Sequence, residues 1–181
     1  MGYAVELYFD RQSEQSILNL RHILTENGIT GRLDQSGDRP HISLAGFSND
    51  ADREVLIRLV QEYAGHVQPF QVQLGAMGTF PTDENVLFLA PAPTIQLLAY
   101  HQEFHDRLAQ SSLTPSPYYA PENWIPHCSV EMNIPGELYP KAIELCRKNF
   151  KPIQGQFQEI GVIAFWPIQQ LATWPLSARS G

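Results

Sequence analysis

The chain repeats itself at a fixed offset, and this constrains its fold more than any other property of the sequence. Pro40-His41-Ile42-Ser43-Leu44 returns as Pro126-His127-Cys128-Ser129-Val130, with the two histidines 86 positions apart. Pro81, after Gly78-Thr79-Phe80, and Pro167, after Ala164-Phe165-Trp166, stand at the same offset. Phe70-Gln71 and Phe157-Gln158 stand at nearly the same one. Two copies are too few for a solenoid. They indicate an internally duplicated β-α-β-α-β unit, with halves of approximately 1–82 and 83–181 in a single bilobal domain. Duplication predicts that the two motifs are related by an approximate two-fold axis.

Local patterns fill in the repeat. Tyr3 to Phe9 alternates and is rich in β-formers, which predicts a strand. Asp10 can cap a helix to about Asn27, with Ile17, Leu18, Leu20, Ile23 and Leu24 at helical spacing and Gly28 as the stop. After a polar loop over 31–39 comes the first motif strand, His41 to Phe47. A second helix runs from Asn49 or Asp50 to about Ala64. Phe70 to Phe80 is a long strand that Gly75 and Gly78 mark for a bend or bulge. The second half repeats the order: a strand at 86–90, a helix at 94–110, the motif strand at 125–132, a helix at 137–149, and strands at 157–165 and 169–174.

A strand has a side-chain period of two. His41 and Ser43 therefore share one face, and Ile42 and Leu44 the other; His127 and Ser129 oppose Cys128 and Val130 in the same way. Each copy offers an imidazole beside a hydroxyl, backed by an apolar face fit for burial. Two copies facing each other would form a pocket with two acid/base groups and two hydroxyl donors. That set suits the breaking or making of a phosphodiester bond. One group deprotonates the attacking water or hydroxyl, and another protonates the leaving oxygen. Histidine, with a reference pKa of about 6.5, suits both tasks. The serines would donate hydrogen bonds to the non-bridging oxygens. No metal or other cofactor is required, and the sequence does not say which histidine is base and which is acid.

The paired motifs, each on a strand and about half a chain apart, resemble the 2H phosphoesterase superfamily, most closely its 2′-5′ RNA ligase and cyclic-phosphodiesterase-like branch. Trp124-Ile125-Pro126-His127 is also similar to family members. The resemblance covers the whole chain and implies an α+β fold of two pseudo-symmetric lobes. Each lobe is an antiparallel sheet with outer helices, and the cleft between them carries the two H-x-S motifs. It implies that His41 and His127 are the catalytic pair and that Ser43 and Ser129 bind phosphate oxygens. Both hydroxyl positions hold Ser where Thr is more usual. Glu131 stands where many RNA-acting relatives carry a basic residue, which weighs against RNA as the natural substrate.

Composition narrows the partners. The formal net charge is −7, with 12 Lys and Arg. A protein gripping a nucleic-acid duplex through its phosphates needs a basic surface. The expected partner is a small nucleotide or an RNA end, not duplex nucleic acid and not a membrane. No apolar run approaches the ~20 residues of a membrane span, and the N-terminus reads as a strand instead of a secretory leader. A cytoplasmic monomer is the default. Two cysteines make no disulfide framework, and Cys128 reads as core.

The segment from Ser111 to Trp124 holds Pro115, Pro117 and Pro121 with Tyr118, Tyr119 and Trp124. These aromatics either stack on a substrate base or cover the core. His101 and His105 have zinc-ligand spacing, but Glu103 lies at the wrong place for the metalloprotease motif; a solvated helix face is expected. His22 and His66 read as surface. Arg39 and Glu131 share the motif face and either reach a substrate or lie in solvent. A non-catalytic nucleotide- or phosphate-binding sensor that keeps the cleft is the alternative function, and a hydrolase of another small phosphoester is a third.

Overall fold

The first strand has no solvent face. Gly2–Phe9 (β1) is buried at every residue but Tyr3, and a strand covered on both faces belongs inside a sheet. It pairs antiparallel with His41–Phe47 (β2) on one side and with Ile153–Phe165 (β6) on the other. The other strands are Phe70–Thr79 (β3), Leu87–Pro91 (β4), Cys128–Glu131 (β5) and Gln169–Pro175 (β7). Arg11–Glu26 (α1), Arg53–Ala64 (α2), Ile95–Ala109 (α3) and Tyr139–Asn149 (α4) are the helices. The computed structural model describes residues 2–33 and 36–177. Among them no helix is long and apolar enough to cross a membrane.

Every pairing is antiparallel, in the order β2-β1-β6-β3-β4-β5, with β7 also on β6. The 13 residues of β6 join two arms of the sheet. Residues 153–157 pair with 70–74 of β3, while later residues lie between β1 and β7. The sequence pattern places the start of this strand at Phe157 and so misses the joint. Gln154, Gly155 and Gln156 are weak strand formers. Gly155 is needed there, because a Cβ would run into the Ser13 hydroxyl where α1 crosses. The arms also mix the sequence halves: β1 and β2 sit with β6 and β7, and β3 sits with β4 and β5.

The joint is packed with aromatic rings. Phe9, Phe157 and Phe70 are cross-strand neighbours, with ring centroids 4.9 and 5.1 Å apart, and Tyr100 of α3 adds a fourth ring 4.7 Å from Phe70. Cross-strand aromatic pairs of this kind stabilise a sheet beyond their buried area.

Local signals set the helix ends. Asp10 accepts from the Gln12 and Ser13 amides and starts α1, and Gly28, at φ 76°, follows its end. The second helix begins later than expected because Asp52, not Asn49 or Asp50, is its cap. The fourth begins at Tyr139 and not at Glu137. The proline-rich segment contains one 3₁₀ turn, Pro117–Tyr119.

β2 and β5 end the strand path at opposite edges, yet they pack against each other. The sheet folds back so that the two motif strands meet.

Candidate active site

The motif strands alternate as their sequences dictate. Ile42, Leu44, Cys128 and Val130 are buried, while His41, Ser43 and Ser129 keep partial exposure. His127 immediately precedes β5 and is also partly exposed. Burial pushes the Cys128 thiol up to about 12, which leaves it a core residue without nucleophilic character.

Each histidine is anchored alike. His41 Nδ1 donates to the Arg39 carbonyl at 2.7 Å, and His127 Nδ1 donates to the Ile125 carbonyl at 2.8 Å. In both cases the acceptor lies two residues upstream. A carbonyl only accepts, so both Nδ1 atoms carry hydrogen and the chemistry of each ring falls to Nε2.

The surroundings then diverge. Opposite residues of an antiparallel pair share a face; His41 lies opposite Tyr8, and Ser43 opposite Glu6. His41 Nε2 is 3.4 Å from Glu6 Oε1, and its Nδ1 is 3.5 Å from Asp38 Oδ1. Burial opposes charge on His41, but Glu6, Asp38 and the Arg39 carbonyl outweigh it and raise the pKa above the ordinary value. Burial also pushes the Glu6 carboxyl up to about 6, against the pull of His41. His127 instead packs edge-on to Phe80, centroids 4.8 Å apart, and beside Phe88 at 5.4 Å. Burial lowers its pKa; the Ile125 carbonyl opposes this and the nearby His41 adds to it.

Arg21 of α1 fastens the two motifs together. It is buried, and its Nη1 and Nη2 donate to the carbonyls of Asp38, at 2.6 Å, and Ser129, at 2.9 Å. One side chain thus holds the loop before His41 and the strand after His127. Nothing in the helical pattern of α1 singles it out except a cation on the buried stripe.

A second clamp comes from the proline-rich segment. Trp124 Nε1 donates to the Ser43 carbonyl at 3.0 Å, and the indole stacks on His101 with centroids 3.7 Å apart. His101 and His105 are not on a solvated face. His101 is only 2% exposed, and the Nε2 atoms of both rings donate to the Leu44 carbonyl, at 3.2 and 3.0 Å. Leu44 is the extra residue of a bulge between Val5↔Ala45 and Glu6↔Ser43. A bulge leaves backbone groups off the ladder, and α3 supplies the donors. Burial, with His105 beside it, lowers the His101 pKa to about 3, so it works as a neutral donor.

The aromatic candidates separate. Tyr119 lies over Gly46, where a Cβ would meet its ring at 2.9 Å, and its hydroxyl reaches the Ser43 hydroxyl. Trp124 has one face covered by His101. Tyr118 is 85% exposed. His22 and His66 lie in solvent, as their polar settings suggest.

Arg39 and Glu131 both have protein partners. Arg39 pairs with Glu14 and Glu159, at 3.1 and 3.0 Å. Glu131 is buried, and its Oε1 accepts from the amides of Leu33 and Met132. Its carboxyl therefore holds the backbone of the 31–33 loop and is withdrawn from solvent.

Among the described residues, Glu6, Asp38 and His41 bring ligand atoms within 4.8 Å of one another. Their nearest contacts put Glu6 at Nε2 and Asp38 at Nδ1. This arrangement suits a charged imidazole flanked by acceptors better than convergence on one ion.

The 2′-5′ RNA ligase superfamily model matches residues 30–165, most of the chain and both motifs. The chain belongs to that superfamily, within the 2H phosphoesterases. Solved structures share its fold across nearly the whole length. TT0787 of Thermus thermophilus superposes with a TM-score of 0.69 at 12% identity, covering 99% of this chain and 100% of that one. E. coli LigT complexed with 3′-AMP gives 0.60 at 14%, covering 96% of each. Kluyveromyces marxianus Usb1 gives 0.51 at 13%, covering 97% of each. No curated protein sequence matches this chain.

Proposed function

We propose that this chain is a metal-independent phosphoesterase. It acts on a 2′,3′-cyclic phosphate or a 2′-5′ phosphodiester through two-histidine acid/base catalysis, with His41 as the acid and His127 as the base. One observation carries the reading: two rings with the same Nδ1 anchor have opposite surroundings. Carboxylates flank His41 and favour its charged form. Phenyl rings flank His127, whose pKa is lowered, so the Nε2 lone pair stays available. Environments that push two titratable groups apart are how acid and base roles are divided.

In the reaction, His127 Nε2 takes the proton of an attacking water as the new O–P bond forms. The P–O bond to ribose breaks, and His41 Nε2 protonates the leaving oxygen. The Ser43 and Ser129 hydroxyls donate to the non-bridging oxygens as charge shifts onto them. Run in reverse, a terminal 5′-hydroxyl attacks the cyclic phosphate and a 2′-5′ linkage forms. LigT has been seen with 3′-AMP, with phosphate and with ATP, which supports a small nucleotide ligand here. Tyr119, whose hydroxyl reaches Ser43, and the exposed Tyr118 are the candidates to stack on a base; Trp124 serves the Ser43 strand.

The test is turnover of nucleoside 2′,3′-cyclic phosphates and 2′-5′ dinucleotides, with and without chelator. The reading predicts cleavage at equal rates in both conditions. Binding without turnover would favour a sensor, and turnover lost on chelation would end the metal-free mechanism.

A further inference from the structure

The hydrogens around Glu6 do not balance for an ionised carboxylate. Tyr8 Oη lies 2.8 Å from Glu6 Oε2 and 2.9 Å from Gln170 Oε1. A phenol has one hydrogen, so it serves one acceptor at a time. Gln170 cannot help by turning its amide, because Nε2 already donates to the Val162 and Ala172 carbonyls, at 3.2 and 2.8 Å. The chain balances when Glu6 carries a proton: Glu6 donates to Tyr8, and Tyr8 donates to Gln170. When Glu6 is ionised, the Tyr8 hydrogen swings to Glu6, and Gln170 Oε1 faces an oxygen lone pair. The two states differ by the carboxyl proton and by a turn of the Tyr8 hydroxyl.

The other oxygen of the same carboxyl faces the first motif, with Oε1 3.4 Å from His41 Nε2. Glu6 is 2% exposed, so exchange of its proton with solvent is hindered.

We propose that Glu6 is the proton store of the first motif, exchanging one proton with His41 Nε2. It is a positioning residue that acts through His41, and its catalytic consequence rests on the reading of His41 as the acid. The exchange conserves charge over the pair. In one form Glu6 is ionised and His41 is charged. In the other the Nε2–H bond has broken, an O–H bond has formed at Oε1 of Glu6, and both groups are neutral; a half-turn of the carboxyl then presents that hydrogen to Tyr8 Oη. After His41 protonates a leaving group, the carboxyl beside it holds the site ready to take up the next proton. Pairs coupled this closely titrate together, and each inflection belongs to both members.

The neighbours on every side fit this role. Asp38, in the loop before β2, sits at the Nδ1 side of His41. Arg21 from α1 opposes charge on His41. Arg39 lies 4.2 Å over the Tyr8 ring, and Glu14 of α1 and Glu159 of β6 pair with it. From the second motif, His127 disfavours a second cation, Cys128 is a neutral thiol, and the Tyr119 phenol feels the Glu6 charge. Gly161 makes room for the chain, since a Cβ there would meet Tyr8 Cε2 at 2.7 Å and Gln170 Nε2 at 2.8 Å.

Side-chain NMR titration of the free protein tests the proposal without a substrate, following the Glu6 carboxyl carbon and the His41 ring nitrogens. In the wild-type protein, Glu6 should titrate above the ordinary glutamate range and show an inflection shared with His41. In folded Glu6→Gln, the His41 midpoint should fall by about 1 pH unit or more, a tenfold or greater loss of proton affinity. An unchanged His41 midpoint in that variant would overturn the proposal. If the variant fails to fold, an ordinary Glu6 midpoint in the wild-type protein would overturn it equally, and an elevated shared midpoint would support it. Absence of turnover would count against the phosphoesterase reading and leave this result untouched.

Discussion

His41 sits between two carboxylates, and His127 sits beside two phenyl rings. The backbones that carry them are near copies, down to a ring nitrogen bonded two residues upstream. The comparison shows what a duplicated site gains when its halves diverge. Two identical imidazoles would have equal proton affinities and compete for one proton. Here the side chains around them, not the motif itself, divide the roles. The acidic surroundings come from β1 and the 36–40 loop, and the aromatic surroundings come from Phe80 after β3 and Phe88 on β4. Each histidine draws its environment from its own arm of the sheet.

The largest effects test whether both copies are needed. His41→Ala and His127→Ala should each lower kcat by up to about 10⁴, the upper range for a positioned acid or base, with circular dichroism unchanged. A near wild-type rate in either would remove that histidine from the mechanism.

Next comes the link between the copies. Arg21→Ala leaves two buried carbonyls without their cation and should cost roughly 2–4 kcal/mol in chemical denaturation. It should also lower activity, because both motif strands lose their common anchor. Full stability in this variant would show that the copies hold their spacing without it.

The serines probe the comparison one step down. Ser43→Ala and Ser129→Ala should each reduce kcat by about 10², as loss of one oxyanion donor does. Ser43 also meets the Tyr119 hydroxyl, so its variant should be the one that changes substrate KM as well. The smallest effect is Trp124→Phe. It keeps an aromatic ring on His101 but loses the bond to the Ser43 carbonyl, which should cost about 1 kcal/mol.

The parts of this account that rest on short sequence patterns were legible. The motif pair, its facing, the Asp10 cap and the Gly28 stop all follow from local rules. The parts set by long-range packing were not. Glu6 lies in an apolar strand whose alternation cannot report that both faces are covered. A carboxylate there, opposite Ser43, was the available signal. His101 and His105 looked like a polar helix face because their acceptor, the Leu44 carbonyl, exists only where a bulge opens the edge of β2. The start of β6 was hidden by residues that pair for reasons of topology and not propensity. Glu131, read from spacing as a group that could meet the substrate or lie in solvent, instead holds backbone amides that only the folded loop brings near.

The most direct test of the divided roles is the pH dependence of kcat on a nucleoside 2′,3′-cyclic phosphate. His127 has a lowered pKa, so as a base it remains neutral until pH falls below the ordinary histidine range. His41 has a raised pKa, so as an acid it keeps its proton until pH rises above that range. The account predicts a bell whose flat top spans neutral pH, whose acid limb disappears in His127→Ala and whose alkaline limb disappears in His41→Ala. Limbs that vanish in the opposite variants, or that survive in both, would contradict it.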